Sequence, residues 1–153
     1  MEKEKLEEEI HELYFHLVPL FHKSKTFYVD KNRTGYLCNK NQGMAIMIIG
    51  KAGEITPTTL SKFIQMEKGS LTTLVDSLEK MGFVARSDDP NDRRKVILSL
   101  TTNGIEYMKT LEKQSREGLS FMLGNLNEKE IYQMHECLKI LVVIFRKIAN
   151  SAA

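Results

Sequence analysis

The chain has 153 residues, 42% of them hydrophobic and 27% charged, an ordinary globular composition that argues against wholesale disorder and leaves room for one domain with a sizeable core. Its net charge of +2 is unevenly spread, because residues 1–12 carry six Glu and two Lys and the positive surplus therefore falls on the rest, as a phosphate-facing surface would want. A secretory leader is not expected, no apolar run reaches the roughly 18 residues of a membrane span, and two cysteines without CxxC spacing, Cys38 and Cys137, suit a reducing cytoplasm better than a disulfide framework.

In chain order, Leu6, Ile10, Leu13, Tyr14, Leu17, Val18 and Phe21 recur at spacings of three and four, which predicts an amphipathic helix that Pro19 kinks or breaks. Asp30–Asn41 is polar and reads as a connection. A short helix over about Gln42–Lys51 carries Met44, Ile46, Met47, Ile48 and Ile49, enough apolar residues to predict burial on most sides. Gly53 ends it, and Ile55 adds a single-residue strand. Thr56 is placed to cap the next helix, with Pro57 at its first position, where a missing N–H costs nothing. Leu60, Phe63 and Ile64 form its predicted buried stripe. After a tight turn at Gln65-Met66, a longer helix runs over about Lys68–Met81 with Leu71, Leu74, Val75, Leu78 and Met81 on one face. Gly82 follows at the position where a left-handed residue is wanted.

Two helices joined by so short a turn form a helix-turn-helix pattern. Phe83–Ser87 then reads as a strand, Asp88–Asp92 as a turn and Arg93–Leu100 as a second strand, in which Val96, Leu98 and Leu100 alternate with Lys95 and Ser99. Ile97 departs from the alternation, so its face is expected to be covered too. A hairpin directly after the second helix is a wing. Thr101 caps a further helix with the stripe Ile105, Met108, Leu111, Ser115, Leu119, Met122 and Leu123, and Asn127 with Glu130 opens the last helix as a capping box. There Leu138–Phe145 is apolar nearly all round. A terminal helix of a small domain cannot bury every side against its own chain, so a partner chain is expected to cover it.

The runs Thr56-Pro57-Thr58-Thr59-Leu60-Ser61-Lys62-Phe63-Ile64 and Glu67–Gly82, and above all Asp88-Asp89-Pro90-Asn91-Asp92-Arg93-Arg94-Lys95-Val96-Ile97-Leu98-Ser99-Leu100-Thr101, resemble the MarR family of multiple-antibiotic-resistance-type regulators. Order and spacing agree from about Gln42 to Gly104. The resemblance implies a mainly α chain with a small β-hairpin. It would be one domain over residues 1–153, with a winged helix-turn-helix lobe at 42–104 and dimerisation helices at 1–30 and 105–150. It further implies a cytoplasmic homodimer that reads a pseudo-palindromic double-stranded operator as a transcriptional regulator. Such a repressor would be released by a small phenolic or amphipathic ligand bound between the dimer region and the DNA lobes.

A recognition helix needs donors at the end that enters the major groove. Lys68, Ser70, Thr72 and Thr73 are the candidates, with Ser77 a turn further on and Gly69 allowing close backbone approach; the competing reading is an ordinary solvated face. In the wing, Arg93 and Arg94 are the minor-groove candidates, Arg94 the preferred one, and the resemblance implies that Asp92 positions one of them. Residues 86–95 hold four basic and three acidic side chains, so geometry and not bulk charge makes that argument. Ser61, Lys62 and Arg86 are phosphate-contact candidates. Phe15, Phe21, Phe27, Tyr36, Met44 and Met47 could line an effector cavity, although core is their default role. Cys38 and Cys137 invite an oxidation-sensor reading, against which Cys137 is expected to be packed and inert. His11, His16, His22 and His135 lack metal-ligand spacing, so neither metal nor cofactor is expected. No nucleophile elbow, P-loop or dinucleotide fingerprint is present, so no enzyme is expected. A redox- or metal-sensing regulator of the same fold and a pure protein-interaction dimer stand as alternatives.

Overall fold

The computed structural model describes residues 2–23, the last three by backbone alone, and residues 37–151. Expectations resting on Phe21, His22, Phe27, Tyr36 and most of Asp30–Asn41 lie outside the described side chains. The elements are α1 (Glu2–Lys23), α2 (Lys40–Ala52), β1 (Glu54–Ile55), α3 (Pro57–Ile64), α4 (Lys68–Lys80), β2 (Val84–Asp89), β3 (Asp92–Leu100), α5 (Thr102–Leu123) and α6 (Glu128–Ser151). The strands form one antiparallel sheet in the order β1-β3-β2. Two compact units divide the chain, residues 1–116 and 117–153.

α1 is not broken at Pro19, which lies inside the helix. A proline deprives its own helix of one N–H bond, and the remaining bonds carry the helix on to Lys23. α2 starts two residues before the predicted Gln42, because Asn39 is a cap and not part of a connection. Its side chain accepts the Gln42 N–H at 3.0 Å, and the Gln42 side chain accepts the Asn39 N–H at 2.8 Å. The helix is covered on most sides: Gly43, Ala45, Ile46 and Ile49 are buried, Met47 and Ile48 are half-buried against the core, and Met44 is exposed.

α3 opens as the sequence predicts, with the Thr59 N–H donating to Thr56 Oγ1 at 3.2 Å and Pro57 in the first turn. Leu60 is fully buried, but Phe63 is 65% exposed and leaves the predicted stripe. On a helix of eight residues Leu60 and Ile64, four apart, share the inward face, and Phe63 is turned about 100° away from Ile64. Gln65 adopts a left-handed conformation, φ 56°, and Ser61 Oγ donates to the Met66 carbonyl at 2.6 Å to close the turn. α4 then buries Leu71, Leu74, Val75 and Leu78 at the spacing expected of one face. Gly82 takes φ 75°, as a helix C′ residue should.

β2 extends two residues beyond the predicted strand. Asp89 pairs with Asp92 past a bulge at Asp88/Asp89, and its carboxylate accepts the Asn91 N–H at 2.8 Å, so Pro90-Asn91 alone form the tip. Along β3, Leu98 is sealed and Ile97 half-buried, while Val96 is exposed towards the tip. α5 buries Gly104, Tyr107 and Leu111; of the predicted stripe Leu111 is buried, Met108, Ser115, Leu119, Met122 and Leu123 are half-buried, and Ile105 is exposed. A Cβ on Gly104 would stand 2.0 Å from the Phe83 carbonyl oxygen, so only glycine lets this helix approach β2's entry. Tyr107 is thereby turned inward, stacks on Phe83 at 4.7 Å, and its hydroxyl accepts the N–H groups of Leu37 and Cys38 at 3.1 and 3.2 Å. Thr101 caps the helix by accepting the Gly104 N–H at 3.0 Å. In the second unit, the Asn127–Glu130 capping box forms as predicted, and α6 has no buried residue. Among the described residues, no helix is long and apolar enough to cross a membrane.

Candidate nucleic-acid interface

The sealed side of α4 fixes its open side. With Leu71, Leu74, Val75 and Leu78 inward, Lys68, Gly69, Ser70, Thr72 and Thr73 are exposed at its N-terminal end. Thr72 Oγ1 donates to the Lys68 carbonyl at 2.9 Å and Thr73 Oγ1 to the Gly69 carbonyl at 3.3 Å. Each hydroxyl therefore presents its lone pairs and methyl group outward. A Cβ on Gly69 would meet nothing within 4 Å, so the chain's own packing does not require glycine there. A groove of about 540 Å³ borders this surface, lined by Asn39–Gln42 at the start of α2 and by Met66, Ser70, Thr73, Leu74 and Ser77. Sequence reading did not draw Asn39–Gln42 towards the site; the Asn-x-x-Gln capping box was the signal that could have done so.

Ser77 is not a free contact residue. It donates to the Leu74 carbonyl at 2.7 Å and accepts from Gln42 Nε2 at 2.9 Å, tying α4 to α2. Ser61 is similarly engaged in the α3–α4 turn, while Lys62 is exposed.

In the wing, Asp92 is hydrogen-bonded to Arg94. Both the Arg94 backbone N–H and its Nε donate to Asp92 Oδ1 at 3.2 Å, while the Arg94 side chain remains 91% exposed. Its terminal nitrogens are thus aimed outward from a tethered stem. Arg93 is exposed as well. Arg86, at the base of the wing, is held instead by two acids of α4: Nη1 donates to Glu79 at 2.6 Å and Nη2 to Asp76 at 2.5 Å.

Of the candidate effector residues, Phe15, Met44 and Met47 line neither described cavity, and Phe21, Phe27 and Tyr36 lie outside the described side chains. Phe15 is exposed on α1 against His11, with Met44 exposed and Met47 half-buried on α2. Within the single chain Cys137 is exposed on α6, whose expected packing is against a partner chain, and Cys38 is buried beside Tyr107. Burial pushes the Cys38 thiol up, partly offset by its hydrogen bond with Tyr107, which makes it a poor thiolate. Among the described residues, no group of three or more His, Cys, Asp or Glu is placed to hold a metal ion.

The fold agrees with the comparisons. The MarR family model matches residues 38–96. The chain is similar to the HTH-type transcriptional regulator YcgE of Bacillus subtilis, 38% identical over 84 residues that cover 55% of this chain and 54% of that one. It is also similar to the multiple antibiotic resistance protein MarR of Salmonella typhimurium, 33% identical over 89 residues covering 58% and 62%. It thus spans between about half and two thirds of the curated relatives it matches. Among solved structures, a cysteine-to-serine mutant of MarR from E.coli complexed with operator DNA superposes with a TM-score of 0.65 at 25% identity, covering 87% of this chain and 95% of that one.

Proposed function

Residues 38–96 are a MarR-family domain, and on that premise we propose that the protein is a homodimeric transcriptional regulator of the cytoplasm that represses by occupying a pseudo-palindromic operator in duplex DNA. The observation that carries this reading is the pairing of an exposed polar helix end with an exposed arginine wing on one hydrophobic core. Lys68 meets phosphate or guanine. Ser70, Thr72 and Thr73 read base edges, the two threonines as acceptors from base amino groups or through methyl contact with thymine. Gly69 allows close backbone approach. Arg94, its stem held by Asp92, enters the minor groove with Arg93 beside it. Lys62 meets the backbone, and Ser61 and Ser77 support the helix from within. The exposed apolar residues of α1 and α6 support the dimer, which would set two half-sites about one helical turn apart. A phenolic or amphipathic ligand that prefers one spacing of the two lobes would release the operator.

The test is to select bound fragments from a pool of random duplex DNA and titrate the winner by fluorescence anisotropy across salt. The expected result is a unique palindrome whose affinity falls steeply with salt. Replacing Arg94 by Ala should weaken binding by about 1–3 kcal/mol. Unchanged affinity and salt slope would overturn its role, and a pool that yields no duplex would overturn the reading as a whole in favour of a protein-interaction dimer.

A further inference from the structure

Three features of the winged lobe lie beyond the contacts proposed above: the groove at the start of α2, the buried Cys38–Tyr107 pair, and the bridge from the base of the wing to α4. The first rests on a helix N-terminus and the second on a lone thiol, so neither carries a site. The third has a defined geometry.

Alternation along β2 places Arg86 on the same face as the sealed Val84, two residues before it, so its side chain rises towards the helical layer. There it meets Asp76 and Glu79, three apart on α4 and therefore neighbours on one helix face. One planar guanidinium spans the two carboxylates with separate nitrogens at 2.5 and 2.6 Å. Opposite Arg86 across the strand pair stands Leu98, which is fully buried, so the arginine springs from the most anchored part of the hairpin. Both acids lie on the C-terminal half of α4, beyond Ser70 and Thr73.

We infer that Arg86 is a positioning residue and not a phosphate contact: it locks the wing to the recognition helix at one angle and neutralises two carboxylates that would otherwise repel the duplex. The inference rests on the DNA-binding reading above. The direction of the Arg86 pKa, raised chiefly by its hydrogen bond with Asp76 against the cost of burial, agrees with a guanidinium committed to these acids.

The two roles separate in one experiment on the full-length chain with its selected operator. Lysine is a compact point charge that serves a phosphate but cannot fork between two acids. As a clamp, Arg86→Lys should lose about tenfold in operator affinity with the salt slope unchanged, and Arg86→Ala should cost little further in an Asp76→Asn, Glu79→Gln background. As a phosphate contact, Arg86→Lys would retain affinity and Arg86→Ala would lower the slope by about 0.9; that outcome overturns the clamp and leaves the DNA-binding reading standing. A wild-type chain that binds no duplex defeats that reading itself. Melting temperatures of each variant show which losses come from unfolding.

Discussion

The winged lobe and the two terminal helices use the same apolar periodicity and meet opposite fates. Between Cys38 and Leu111 the stripes of α2, α3, α4 and α5 close on the sheet, leaving Ile46, Ile49, Leu60, Leu78 and Leu98 fully buried. On α1, Leu6, Ile10, Leu13 and Leu17 are equally regular and all exposed, and α6 exposes Ile140, Val143, Ile144 and Phe145. A repeat of three and four specifies that a face will be apolar. It does not specify which surface the face will meet. In the lobe short connections bring the faces together within one chain. The terminal helices require a second surface, which the proposed dimer supplies.

That contrast can be broken in steps. The largest effect should come from Leu98→Ala, which removes a sealed side chain beneath both helices and wing and should cost about 2–5 kcal/mol of lobe stability. A chemical denaturation curve shifted by less than 1 kcal/mol in stability would mean that the lobe does not hold itself together. Gly104→Ala places a methyl group against backbone and not against a side chain that could yield, so about 1–3 kcal/mol should be lost in thermal melting. Indifference to the methyl would contradict the close approach of α5 to Phe83. Val143→Glu on α6 should leave the lobe's melting transition in place while weakening the dimer at least tenfold, or about 1.4 kcal/mol, in sedimentation equilibrium. A melting transition lowered along with dimerisation would show that lobe and terminal helices are one cooperative body. Phe63→Ala should change stability by less than about 0.5 kcal/mol, because the ring is already in solvent; a loss of core size would restore it to the stripe from which the geometry removes it.

The local signals were legible because they are complete within a few residues. Thr56 and Pro57 set the start of α3, Asn127 and Glu130 that of α6, and Gly82 the end of α4, each by hydrogen bonds or dihedral preferences that need no distant partner. The wing hairpin was legible for the same reason, although the ladder reached Asp89 where turn-forming residues suggested an earlier stop. Asn39 was missed because an isolated asparagine signals a turn and a cap equally well, and only Gln42 three residues on decides between them. In the candidate site, exposure of Lys68, Ser70, Thr72 and Thr73 followed from the buried stripe opposite, but the engagement of Ser77 and Ser61 did not.

By itself, then, the sequence determined which segments are helix or strand, which face of α4 is polar, and that a hairpin with two arginines follows it. Tertiary structure alone decided that Tyr107 and not Ile105 turns inward, that Phe63 turns out, and that Arg86 is tied to Asp76 and Glu79 while Arg94 is tied to its own neighbour Asp92. The reason is range. Caps, turns and periodicity are settled by groups a few bonds apart, whereas burial and ion pairing depend on which distant element arrives at the same place.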